Sequence, residues 1–89
     1  MTERVIINGK FLAQPITGVQ RFALEMVKEL LYTNVKFRIY APSGAAIPLW
    51  LSEHVTTFGR SKSLLWEQLD LPKRLKRENS PLLVNLCNS

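Results

Sequence analysis

The chain has 89 residues, 46% of them hydrophobic and 21% charged, a composition that fits one soluble globular domain and excludes disordered and fibrous classes. Its formal charge of +5 directs attention to anionic partners, while a lone cysteine, Cys87, excludes an internal disulfide and a thiolate metal cluster. No apolar run approaches the roughly 20 residues of a membrane span, and the opening MTERVIINGKF lacks the basic-then-apolar layout of a signal peptide, so the expected location is cytoplasmic.

The first predicted element is a strand over residues 4–8, RVIIN, whose consecutive β-branched side chains suit a strand covered on both faces of a parallel sheet. A connector follows over residues 9–16, interrupted by Pro15. Val19, Phe22, Ala23, Met26, Val27, Leu30 and Leu31 then recur at steps of three and four, the pattern of an amphipathic helix in which only Leu24 spoils the polar side. Thr17 with Gln20 three residues on is a capping-box pair, so the helix is expected to start at Thr17 and to end near residues 32–34. Residues 35–41, VKFRIYA, alternate apolar and polar, which predicts a half-exposed strand nearer an edge of the sheet. The segment APSGAAIP breaks structure, LWLSE forms a helical turn, and a third strand is expected at residues 55–58.

After a loop at residues 59–62, Ser63 is an N-cap for the helix SLLWEQLDLPKRLKRE. Pro72 removes an amide donor inside it, which predicts a kink or a restart there. Ser80 and Pro81 stop the helix, and residues 82–86, LLVNL, make a fourth buried strand. The order strand, helix, strand, strand, helix, strand predicts an α/β fold, a partial Rossmann-like open parallel sheet of about four strands with helices on its faces, occupying residues 1–89 as a single unit. Because the sequence stops directly after a central-type strand, the expectation is the first half of a larger sheet.

In such a sheet ligands lie beyond the carboxyl ends of the strands, which singles out QPITGVQR, the loop that joins the first strand to its helix. Unpaired amides at a helix start make an anion site, and Gly18 lets a diphosphate approach without a Cβ in the way. The plainer account is that Thr17 caps the helix and Gly18 eases a tight turn into it. Neither a G-x-G-x-x-G run nor a P-loop is present. His54 stands without a second histidine or cysteine, which argues for a surface position and against a metal. Trp66 shares an apolar helical stripe with Leu69 and is expected in the core. Glu67 and Asp70 read as a solvated face pairing with Lys73 and Arg74. Lys73, Arg74, Lys76 and Arg77 form a basic cluster of the kind found at a helix end. They lack the interleaved aromatics of a nucleic-acid surface, so no nucleic-acid partner is expected.

Three segments taken together, VIINGKFL, ITGVQRFALEMVKEL and LLWEQLDLPKRLKRENSPLLVNLCNS, resemble the amino-terminal domain of glycosyltransferase family 4, retaining enzymes of the GT-B architecture. The matching features are the threonine-glycine-valine loop of Thr17, Gly18 and Val19 leading into Arg21 and Phe22, the WEQ run that ends at Pro72, and a last strand that opens after Asn85. The resemblance implies transfer of a sugar from a nucleotide-sugar donor to a hydroxyl acceptor in polysaccharide or lipid-linked glycan synthesis. It places Thr17, Gly18 and Val19 at the donor phosphates with Arg21 as a supporting cation. Asn85, Cys87 and Asn88 fall on the acceptor-side loop. No metal and no cofactor beyond the nucleotide-sugar substrate are implied. The carboxyl-terminal domain of that family, with its phosphate-clamping cations, has no counterpart in these residues, so the chain is expected to be inactive by itself: a truncated gene product, a remnant or an isolated domain. Lys73, Arg74, Lys76 and Arg77 would then give a peripheral contact with the anionic inner face of a membrane. The competing expectation is a small free-standing α/β binding or interaction module, dimeric through its uncovered sheet edge.

Overall fold

A computed structural model of the protein describes residues 5–13, 18–59, 65–78 and 83–84. Four strands, β1 (Val5–Asn8), β2 (Phe37–Pro42), β3 (Val55–Phe58) and β4 (Leu83–Val84), form one sheet in the order β3-β2-β1-β4, with every pairing parallel. Among the described residues two α-helices, α1 (Gly18–Leu30) and α2 (Leu71–Glu78), accompany them. The strand-and-helix order expected from the sequence is present, and β3 occupies the expected residues. Ser63, Ser80 and Pro81 lie outside the described residues, as does most of the expected fourth strand.

Successive side chains of a strand point to opposite faces, and this builds two cores. Ile7, Phe37, Ile39 and Ala41 pack with Ala23 and Val27 of α1 and with Leu51 of a 3-10 turn over Leu49–His54. On the opposite face Ile6 and Tyr40 pack with Trp66 and Leu71. The connections β1–α1–β2 and β2–3-10 turn–β3 thus lie on one face, and the connection from β3 to β4 lies on the other. The sides exchange between β1 and β4, a topological switch point.

β2 corrects one expectation. It lies between β3 and β1 rather than at an edge, and five of its six residues are buried. Tyr40, one of its nominally polar positions, fills the second core with 2% exposure, and its hydroxyl donates to Glu78. Arg38 reaches Thr56 Oγ1 of the neighbouring strand at 3.2 Å. Alternation of polar and apolar letters described a half-exposed strand because tyrosine offers a large apolar body behind one polar atom.

The buried stripe of α1 is also rotated from the expected one. Gln20, Ala23 and Val27 are buried and Leu24 packs against the core, whereas Phe22 and Met26 are 58% and 41% exposed. Leu24, the residue that spoiled the polar side, belongs to the buried side. Leu30 and Leu31 keep their places against the core, and the helix closes with Tyr32 N–H on Glu29 O at 3.0 Å.

The proline-bearing helix holds the third difference. Trp66–Asp70 is a π-turn that runs into α2, and the Leu71 amide bonds back to the Trp66 carbonyl. A proline interior to a helix clashes with the carbonyl four residues earlier and leaves it without a donor. The wider π-turn just before Pro72 absorbs that conflict without a break, since Leu71 keeps helical angles of φ -65 and ψ -50. Widening also changes the phase of the apolar stripe. Trp66 is joined in the core by Leu71, five residues on, and Leu69 is left 55% exposed.

Candidate functional site

All four strands run the same way, so their carboxyl ends share one edge, and two polar groupings of the described residues lie along it. The first stands at the end of β1. Gly9 follows the strand so closely against β2 that a Cβ there would lie 2.6 Å from both Ile39 Cγ2 and the Tyr40 carbonyl oxygen. Only glycine permits this approach, and it sends the chain into a 3-10 turn over Gly9–Ala13 where the sequence had suggested a plain connector. Asn8 Oδ1 accepts the Lys10 amide at 3.0 Å, a local turn that fixes both side chains.

Lys10 is 9% exposed, low for an ammonium group, and its Nζ lies 3.2 Å from Glu67 Oε1 of the π-turn. Asn8 Nδ2 donates to the other oxygen of the same carboxylate. Glu67 is therefore not part of a solvated face paired with Lys73 or Arg74. It fastens the π-turn to the end of β1, beside the switch point. Burying a cation is costly unless it is paired and hydrogen-bonded, and this arrangement supplies both. The ordinary sequence signal, Asn-Gly-Lys directly after a buried strand, gave no indication that the lysine turns inward.

The second grouping stands at the end of β3. Gly59 has φ +88, a left-handed conformation, and a Cβ on it would fall 2.6 Å from Asp70 Oδ2 and 2.8 Å from Trp66 Cδ1. Around it Phe58, Asp70, Lys73, Arg74 and Arg77 line a cavity of about 220 Å³. Arg74 is held on several sides. Its Nε lies 2.6 Å from Glu78 Oε2, and its guanidinium carbon lies 4.8 Å from the Phe58 ring centre and 5.5 Å from that of Tyr40. The hydrogen bond to Glu78 raises the Arg74 pKa above its ordinary value, against a smaller opposing effect of burial. Beside Gly59, the indole N–H of Trp66 donates to the Phe58 carbonyl at 3.0 Å. The basic cluster divides here: Lys73, Arg74 and Arg77 line the cavity, and exposed Lys76 does not.

Of the residues expected at the donor phosphates, Gly18 is the exposed first residue of α1, and a Cβ on it would meet nothing within 4 Å. Its φ is not in the left-handed region, so the tight-turn account of this glycine finds no support in its geometry. Arg21 is exposed one turn along the helix. Thr17, and with it the capping box, lies outside the described residues, as do the side chain of Val19 and the whole of Asn85, Cys87 and Asn88. His54 is half-buried, its ring stacked on Phe37 at 4.9 Å, which accounts for it as packing. Among the described residues no group of three or more His, Cys, Asp or Glu side chains is placed to hold a metal, and no helix is long and apolar enough to cross a membrane. No protein family, curated protein or solved structure matches the chain.

Proposed function

We propose that the chain serves as the leading part of the amino-terminal domain of a retaining glycosyltransferase that uses a nucleotide-sugar donor, with the start of α1 meeting the donor diphosphate. The observation that carries this reading is Gly18. It begins a helix on the carboxyl edge of a doubly wound sheet, and neither packing nor a left-handed backbone explains the missing side chain. Open first-turn amides without a Cβ beside them suit an approaching diphosphate. The motif resemblance supplies the reaction class. In support of a site at this edge, Trp66 of the WEQ run fills the second core, and Glu67 anchors Asn8 and Lys10 beside the switch point, where this class of sheet holds its ligands.

Transfer itself would require positioned positive charge around the departing phosphate in a closed cleft, so the chain contributes one wall of the site. The test is transplantation of residues 1–89 into the matching segment of an intact family 4 glycosyltransferase, followed by an assay of labelled-sugar transfer. Transfer above that of an enzyme lacking the segment is the expected result. A chimera that is folded by circular dichroism and gel filtration but shows no transfer overturns the reading.

A further inference from the structure

We propose that the cavity at the end of β3 is a binding site for the phosphate of a small hydroxylated phosphomonoester, a site separate from the α1 start and independent of the glycosyltransferase reading. Three cations and one carboxylate line it. Among the described residues Lys73 and Arg77 have no ion-pair partner, and, one helical turn apart on α2, they flank the cavity. Arg74 forms a wall already ordered by Glu78, Phe58 and Tyr40, so little side-chain entropy is lost when an anion settles beside it. Excess positive charge in a concave site matches a dianion, and guanidinium groups present the donor geometry that phosphate oxygens accept.

Gly59 lines the cavity and packs against Asp70 and Trp66 at distances that admit no side chain. Asp70 gives the site a hydrogen-bond acceptor for a hydroxyl on the body of the ligand. At about 220 Å³ the cavity has room for a phosphate with a short polar body. Lys76, on the same helix, points elsewhere and provides a matched control.

The experiment titrates the full chain with inorganic phosphate and with glycerol 3-phosphate, followed by calorimetry or amide chemical shifts, and repeats it with Lys73→Gln, Arg77→Gln and Lys76→Gln. All three positions are exposed, and circular dichroism checks that each variant keeps the fold. Saturable binding is expected, tighter for glycerol 3-phosphate. Lys73→Gln and Arg77→Gln should each weaken it about tenfold, as loss of one charge-assisted hydrogen bond would, and Lys76→Gln should change it less than about twofold. Absence of saturation with both soluble phosphates together with absence of phosphatidic-acid-dependent vesicle binding, or equal weakening by all three variants, overturns the proposal. Equal affinity for the two phosphates overturns its hydroxyl part.

A sedimentation arm with phosphatidylcholine vesicles, with and without phosphatidic acid, separates the sources of the phosphate. Binding that needs phosphatidic acid and is lost in Lys73→Gln supports the phosphate part of the site with a lipid headgroup as its ligand and overturns the hydroxyl part, and phosphate-ester binding without vesicle binding supports the site with a soluble ligand. Vesicle binding lowered as much by Lys76→Gln as by Lys73→Gln, in a chain that does not saturate with either soluble phosphate, overturns it in favour of a diffuse basic surface.

Discussion

Leu69 and Leu71 provide a sharp test of how the second face of the sheet is built. A continuous α-helix would keep Leu69 on the stripe of Trp66, whereas the π-turn replaces it with Leu71. Leu71 is 1% exposed beside Ile6, Tyr40 and Trp66, so truncating it to alanine removes a fully buried side chain. Such a change costs about 2–5 kcal/mol, and a central value of about 3 kcal/mol is reasonable for a core with a helix on one side. A domain of this length has on the order of 4–13 kcal/mol of stability. The loss corresponds to a fall in Tm of roughly 12–24 °C. Leu69 is 55% exposed, and Leu69→Ala should cost less than about 1 kcal/mol. Urea denaturation followed by far-UV circular dichroism measures both variants on one scale. Equal costs, or a larger cost at Leu69, would refute the π-turn and restore the continuous stripe.

Gly59→Ala should destabilise the chain by about 1–3 kcal/mol, from the left-handed backbone and the overlap with Asp70. Asp70→Ala in the same chain should recover part of that cost, and a double-mutant cycle by thermal denaturation with no coupling would contradict the geometry. At the end of β1, Lys10→Met should cost about 1–3 kcal/mol by stranding the Glu67 carboxylate, while Lys10→Met with Glu67→Gln should cost less than Lys10→Met alone. Strictly additive costs in urea titrations would show that the pair does not interact.

Much of this architecture is legible in the sequence because it depends on local patterns. Three β-branched residues in a row mark β1 as a covered strand, steps of three and four mark α1, and Pro72 marks the irregular helix. What escaped depends on partners remote in sequence. The phase of α1 is set by which of its residues meet Ile7, Ile39 and Leu51, so Leu24 turns inward and Phe22 outward although the letters allow either. Pro72 announces a disturbance, but whether the chain kinks or widens depends on Trp66 and Leu71 both finding Ile6 and Tyr40. Lys10 and Glu67 are 57 residues apart, and neither carries a local sign of the other. In the basic cluster the letters give the charge, and only the position of Gly59 and Phe58 separates Lys73, Arg74 and Arg77 from Lys76.

The proposed donor contact is tested most directly by Gly18→Val, measured twice. In the chain itself a valine at this open helical position should change stability by less than about 1 kcal/mol, because its Cβ meets nothing and the helix-propensity difference is small. In the transplanted enzyme the same substitution should abolish sugar transfer, since the side chain would occupy the path of the diphosphate to the first-turn amides. Full transfer by a folded Gly18→Val enzyme would contradict the account.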